Sequence, residues 1–360
     1  MQSSPLVSVV TVCYNLIKNG RADFFKQCAE SVHQQNYSHI EHLVIDGGSQ
    51  DGTVELLETY AQKGWLRYLS EPDKGIYDAM NKGIREAQGK YVAFLNSDDF
   101  WHHPDGVAAS VAALESHGAA FSYAPRNMVK ENGDFLYREN TGIGTFAEHM
   151  PFCHQTMFTR KEVLQAHHGF DDKKYRSAAD YDLIMRIILS GESCVYVPLN
   201  FTSFRRGGFS AMESAVDMPS TEMYLVRKNL LGEDAANMLS RGYMDDSLMQ
   251  HILSKVHGSV ALDVLRCHRM ESAGIYSLTY GLSHSRAQGK LSAGYRIRKI
   301  FSCKLFALLP MLTIRQRKGR TDYLLFGVLP IVTVRKKHET SNVCLFGILP
   351  IFSVSARIAG

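Results

Sequence analysis

The chain has 360 residues, of which 45% are hydrophobic, 21% charged and 10% aromatic. That balance excludes a disordered or collagen-like chain and is enough for two or three structural units with full cores. The net charge of +4 is uneven: residues 291–360 hold twelve Lys/Arg against two Asp/Glu, which leaves the first 290 residues at −6. A mildly acidic body with a basic tail suggests two jobs in two places. The seven cysteines are scattered and none forms a C-x-x-C pair. This argues against a zinc module or a disulfide framework and implies a reducing, cytoplasmic compartment. The start MQSSPLVSVV has neither a basic n-region nor a cleavage pattern, so no signal peptide is expected. No apolar run of about 18 residues occurs, so no membrane-spanning helix is expected.

In chain order, residues 7–13 (VSVVTVC) form an apolar, β-branched run that predicts a buried strand. Residues 22–35 carry Phe25, Cys28 and Val32 at helical spacing. Residues 42–46 (HLVID) predict a second strand, and 51–63 a helix entered through Gly-Gly-Ser. A short strand is expected at 66–69, a helix over 76–88 with Ile76, Met80, Ile84 and Ala87 on one face, and a strand at 91–95. Alternating strands and helices imply an α/β fold with a mostly parallel sheet and helices on both faces.

Such sheets bind ligands at the carboxyl ends of their strands. Here those ends carry Tyr14-Asn15, Asp46-Gly47-Gly48-Ser49 and Asn96-Ser97-Asp98-Asp99. Adjacent carboxylates repel unless a cation or donors sit between them. Asp98-Asp99 therefore suits Mg²⁺ or Mn²⁺, or else a solvated turn. Asp46 is an acceptor beside two glycines that let a flat group approach. Lys74, in Glu71-Pro72-Asp73-Lys74-Gly75, precedes a helix and could meet a phosphate. Asp180 and Asp182 open another helix; they serve as N-terminal helix acids, or Asp180 serves as a general base. Neither G-x-G-x-x-G nor a P-loop is present.

The ordered segments VSVVTVCYN, VIDGGSQDGT, EPDKGIYDAMNKGI, YVAFLNSDD, HQTMF and ADYDLIMRI, spread over residues 5–215, resemble family 2 glycosyltransferases. The resemblance is to the bacterial branch that builds capsule, exopolysaccharide and O-antigen units. It implies a GT-A fold and an inverting hexosyl- or N-acetylhexosaminyl-transferase. It also implies a nucleotide-diphospho-sugar donor, with a UDP-sugar favoured, and a glycan or lipid-linked acceptor. By the same resemblance, Asp46 contacts the nucleotide base, with Gly47 where a second acid often stands. Asp99 binds the metal and Asp98 the ribose or metal, with Asn96 replacing the motif's first acid. Asp180 is the base, preceded by Ala179 where the family often has Glu. Tyr14, Asn15 and Lys74 join the donor site. His154-Gln155 and Arg205-Arg206 fall where acceptor or diphosphate contacts are expected.

The expected organisation is a glycosyltransferase domain over 1–215, with a nucleotide-sugar half (1–105) and an acceptor half (106–215). A helical linker region follows over 216–300, and a repeat tail over 301–360. Segments beginning at Cys303, Tyr323 and Val343 align at a 20-residue period, with Leu305, Leu325 and Leu345, and Pro310, Pro330 and Pro350, in register. Each unit predicts two β-prone runs around a Leu-Pro bend, stacked as hairpins. The tail is read either as a packing module that makes the chain a homo-oligomer, or as peripheral attachment to an anionic cytoplasmic leaflet. Nucleic acid is not an expected partner, because the basic residues lack a recognition motif. Two other readings compete with the transferase. A nucleotidyltransferase would need a Gly-rich basic loop after strand one, where Tyr14-Asn15-Leu16-Ile17 stands. A non-catalytic surface protein draws on Asn96 and Ala179.

Overall fold

A computed structural model describes residues 4–139, 142–207, 218–258 and 260–272, and the strand segments 312–317, 320–325, 329–337, 340–345 and 349–355. The chain divides into two compact units, Met1–His268 and Arg269–Gly360.

The first unit begins β1 (Val7–Cys13), α1 (Ala22–His33), β2 (Ile40–Asp46), α2 (Thr53–Gln62), β3 (Arg67–Ser70), α3 (Ile76–Glu86) and β4 (Tyr91–Phe94). It continues through β5 (Phe100–Trp101), α4 (Gly106–His117), β6 (Phe121–Tyr123), β7 (Arg126–Val129), β8 (Phe135–Glu139), β9 (Phe158–Arg160) and α5 (Lys161–Ala166). Then come α6 (Ala179–Leu189), β10 (Cys194–Tyr196), β11 (Thr202–Arg205), α7 (Met218–Leu231), α8 (Glu233–Ser240), α9 (Asp246–Leu253) and α10 (Val260–Ser272). Seven strands make the main sheet in the order β10-β6-β9-β4-β1-β2-β3. All its pairings are parallel except those of β9, which runs antiparallel to β4 and β6. A smaller sheet, β5-β11-β7-β8, lies beside it in sequence and carries the end of the rim turn.

The apolar run of β1 has a physical reason. Val7 and Val9 belong to a core with Cys28 and Val32 of α1 and Leu114 of α4. Val10 and Val12 belong to another with Ile84 of α3 and Ile187 of α6. A strand covered on both faces shows no polar alternation. At Gly83 an added Cβ would strike Val10, so α3 lies directly on β1.

The boundary expected at residue 215 is not where the packing divides. Val226, Leu231, Leu239, Ile252 and Val264 of the later helices join the same core as α6. The helical region through His268 is therefore part of the first unit. Burial of one face of each amphipathic helix decides this, and spacing alone cannot name the surface that accepts it. Residues 273–300 of the expected linker lie outside the described residues.

The second unit contains β12 (Leu312–Arg317), β13 (Arg320–Leu325), β14 (Leu329–Lys337), β15 (Thr340–Leu345) and β16 (Leu349–Ser355), each antiparallel to its neighbour. The repeats are thus a β-meander. Pro330 and Pro350 are not bends but second residues of strands. Each pairs next to a register shift, at Tyr323/Leu324 and Val343/Cys344, where an irregular ladder accommodates a residue without an N–H. The first repeat's Leu305 and Pro310 lie outside the described residues.

His42 of β2 is buried, with Nε2 3.0 Å from the Thr11 hydroxyl. Burial pushes its imidazole down to about 4. The native state therefore keeps His42 neutral while the unfolded chain takes up a proton below about pH 6.5, so folding stability is lost as pH falls from 6.5 toward 4. The loss reaches about 3 kcal/mol at the lower limit. Urea unfolding of His42→Gln at neutral and acid pH is expected to show a smaller acid loss than the parent, and equal losses would refute the assignment.

Candidate active site

The parallel order brings the ends of β1, β2 and β4 to one rim. Cys13 pairs with Asp46 in the ladder, and Leu95 donates to the Val10 carbonyl at 3.0 Å. Tyr14 leaves β1 with 59% of its surface exposed. Asn15 follows in the left-handed region (φ 50°), which Asn tolerates better than bulkier residues.

Asp46 is fully buried. Its Oδ2 accepts from the Ser70 hydroxyl at 2.7 Å, the Ser49 N–H at 2.9 Å and the Gly48 N–H at 3.2 Å. Its Oδ1 accepts from the Ser49 hydroxyl at 2.5 Å. Ser49 Oγ in turn accepts the Asn15 N–H at 2.7 Å. The carboxylate therefore ties β1, β2 and β3 together and shapes the 47–49 loop. Both its oxygens are engaged within the protein.

A Cβ on Gly47 would come 2.5 Å from Asp73 Oδ2 and 3.2 Å from the Tyr14 ring. Gly48 has φ 79°, and a Cβ there would come 3.0 Å from the Pro72 backbone nitrogen. The missing second acid is thus explained by space: Asp73 fills the place from another segment. Burial pushes the Asp73 carboxyl up, against a hydrogen bond from the Gly75 N–H at 2.9 Å. Lys82, itself buried, holds this segment through the Pro72 carbonyl (2.7 Å) and Glu71 (2.9 Å). Lys74 is exposed just before α3, with its N–H on Asp78 at 3.0 Å.

The two carboxylates after β4 have opposite fates. Asp99 is 1% exposed and accepts the Arg205 N–H and the Gln155 side-chain amide, each at 2.6 Å. Burial first, and then repulsion by Asp98, push its carboxyl up to about 8. Asp98 reaches the rim and pairs with Arg21 at 2.7 Å. Arg21 also donates to the Gly207 carbonyl at 2.8 Å. Arg205, expected as a ligand contact, is instead buried. It donates to the Asp98 carbonyl at 2.8 Å and Gln27 at 2.6 Å, and its guanidinium lies 4.2 Å from the Phe24 ring centroid. Arg206 is exposed, 5.7 Å from the Tyr137 ring.

Asp180 sits in the first turn of α6. Its Oδ1 accepts the Tyr77 hydroxyl at 3.0 Å and the Tyr181 N–H at 2.9 Å. Its Oδ2 lies 3.0 Å from His154 Nδ1. His154 thus lies against Asp180, and among the described residues its buried Nε2 has no hydrogen-bond partner. Burial, and then the Asp180 charge, push the Tyr77 phenol well up, so it remains a donor. The next residue, Gln155, donates to Asp99 and accepts the Asn96 N–H at 2.8 Å. One turn of 3₁₀ helix, His154–Thr156, therefore fixes both the Asp180 carboxylate and the Asn96–Asp99 turn. Tyr77 and Arg21 were not singled out from the sequence; nothing in their spacing marks partners 103 and 77 residues away.

Among the described residues no three His, Cys, Asp or Glu side chains cluster as a preformed metal site. A divalent ion shared between one carboxylate and substrate phosphates needs no such cluster. Asp98 fits that arrangement, because its carboxylate keeps some exposure at the rim and pairs with the partly exposed Arg21 side chain. Asp99 does not fit, because both its oxygens are spent inside the protein. This reverses the order of the two acids expected from the motif.

The fold is that of GT-A glycosyltransferases. S. aureus TarS superposes with a TM-score of 0.50 at 14% identity, covering 94% of this chain and 64% of that one. Its 1–349 segment, solved with UDP-GlcNAc, gives 0.51 at 16%, covering 89% and 97%. The family profile "Glycosyl transferase family 2" matches residues 8–172. An uncharacterized glycosyltransferase of Mycobacterium tuberculosis is 35% identical over 201 residues, 52% of this chain and 71% of the relative. TuaG of Bacillus subtilis, named for teichuronic acid biosynthesis, is 34% identical over 132 residues, 36% of this chain and 50% of that one. The chain belongs to glycosyltransferase family 2, which sets aside the nucleotidyltransferase alternative.

The two kinds of carboxylate predict different stabilities. Asp46→Ala orphans four N–H and hydroxyl donors besides the Cys13 thiol and is expected to lower unfolding free energy by about 3 kcal/mol or more. Asp98→Ala removes a partner of one partly exposed arginine and should change it by less than about 1 kcal/mol. Chemical denaturation separates them; similar losses for both would contradict the division.

Proposed function

We propose that the chain transfers a sugar, with inversion, from a nucleotide-diphosphate donor to a hydroxyl of a glycan or lipid-linked acceptor in bacterial surface-polysaccharide synthesis. The reading rests above all on the His154–Thr156 turn, which couples the Asp180 carboxylate to the Asp98-Asp99 turn. A base and a donor site held by one rigid element meet the positional demand of a displacement between two large substrates. The TarS complex with UDP-GlcNAc supports a UDP-sugar as donor, with a hexose or N-acetylhexosamine as the sugar moved.

The assigned roles follow from the contacts. The exposed Tyr14 ring, the Asn15 backbone and the 47–49 loop form the surface for the nucleotide base and ribose, with Asp46 setting that surface from beneath. Lys74, at the free N-terminus of α3, meets the diphosphate with the helix dipole behind it. Arg206, which is exposed, is assigned to the acceptor. Asp180 takes the proton from the acceptor hydroxyl as its oxygen attacks the anomeric carbon opposite the nucleotide. The Tyr77 hydroxyl and His154 fix the carboxylate's orientation and share its charge. Asp98 would hold Mn²⁺ or Mg²⁺ once Arg21 has moved off it, and the bound ion supplies charge neutralisation on the diphosphate leaving group.

Asp180→Asn is expected to keep donor binding in calorimetry and to lose transfer by about 10²–10⁴-fold. Near-normal transfer would remove Asp180 from the base role. A nucleotide-release screen with UDP-, GDP- and dTDP-sugars should show one donor turned over, and EDTA and Asp98→Ala should each abolish release. Asp99→Asn, by contrast, should keep its metal dependence. Donor binding and turnover absent across the whole screen would favour the non-catalytic reading.

A further inference from the structure

The second unit carries a pattern that the transferase reading does not use. A sheet packed against a protein layer alternates apolar and polar residues, because successive side chains serve opposite faces. In the β12–β16 meander, composition instead changes along the strands. Positions 323–325, 329–332, 343–345 and 349–352 are consecutive and uncharged, made of Leu, Ile, Val, Phe, Tyr, Cys and Pro. The ladder aligns them at one end: Leu325 with Leu329, Tyr323 with Val332, Val332 with Leu345, and Val343 with Phe352. Both faces are apolar there.

Among the described residues the opposite end holds Arg315, Arg317, Arg320, Arg335, Lys336 and Lys337 against one carboxylate, Asp322; the connecting residues add Lys318 and Glu339 to the sequence there. Arg317 stands directly across from Arg320, and Arg320 across from Arg335. Like charges in cross-strand register destabilise a sheet by themselves. Three arginines in one row therefore call for an anionic counterpart from outside the sheet.

We propose that this unit inserts the apolar ends of its strands into the interface of an anionic lipid bilayer, with the arginine row at headgroup level. Arg320 and Arg335 lie three residues from Tyr323 and Val332, about 10 Å at a strand's rise. That separation is close to the depth of an interfacial insertion and to one Debye length. Among the described residues β12 and β16 are the edge strands, and unpaired strand edges do not enter hydrocarbon, which keeps the sheet in the interface.

The test is flotation of the full chain with vesicles of phosphatidylcholine alone and of phosphatidylcholine with phosphatidylserine. Co-flotation with the anionic vesicles only, at least about tenfold above the neutral ones and reduced by salt, is the expected result. The variant Arg317→Glu/Arg320→Glu/Arg335→Glu should lose binding by a similar factor and keep nucleotide release. Leu325→Ser/Leu345→Ser should also lose binding, because the apolar area inserted is reduced. Equal flotation with both vesicles, no flotation of the parent chain, or a concentration-dependent dimer in light scattering without vesicle binding would each overturn the proposal. The readout needs neither donor nor acceptor, so its failure is distinct from failure of the transferase reading.

Discussion

The burial of one carboxylate organises the site. Asp99 follows a buried strand and has no route to water, so its charge is opposed by desolvation and by Asp98. It is tolerated because donors from two distant places reach it, the Gln155 amide 56 residues away and the Arg205 N–H 106 residues away. Those two bonds join the end of β4 to the HQT turn and to β11 of the smaller sheet. Removing a partner from such a group costs more than the bond itself is worth, because the remaining group is left buried and unpaired. The turn is thus held from three sides, and only Asp98 is left facing the rim.

The same logic separates the other acids. Asp46 spends its oxygens on the backbone and hydroxyls of its own loop and on β3, so it is a support for the rim. Asp180 is held by Tyr77, Tyr181 and His154 at the start of a helix, where a negative charge is favoured. Two carboxylates thus stabilise the framework, and the other two are those assigned to substrate in the proposed function. Their connection through adjacent residues His154 and Gln155 makes the relative position of base and donor turn a property of a single short element.

Much of this was legible in residues read one after another. The β1, β2 and β4 segments are short apolar runs ending in polar residues, and parallel order alone sends those ends to one rim. Individual roles were less legible. Arg205 and Arg206 are adjacent and chemically identical, yet one is buried under aromatic rings and the other exposed. That difference follows from which face of β11 meets Phe24 and Phe100. Gly47 reads as a missing acid until Asp73 is found against it. His154 reads as a ligand contact until Asp180, on another helix, is found at its Nδ1.

The sequence by itself determined the order of strands and helices through residue 95, the polar composition of the rim, the family, and the 20-residue repeat of the tail. These depend on local periodicity and on motifs whose spacing survives in one dimension. Tertiary structure alone decided which acids remain outward, that the helices through His268 join the first core, and that Pro330 and Pro350 lie within strands beside ladder shifts. Each of those outcomes depends on partners brought from far along the chain. Burial, donor supply and strand register are properties of the packed chain, and no window of neighbouring residues contains them.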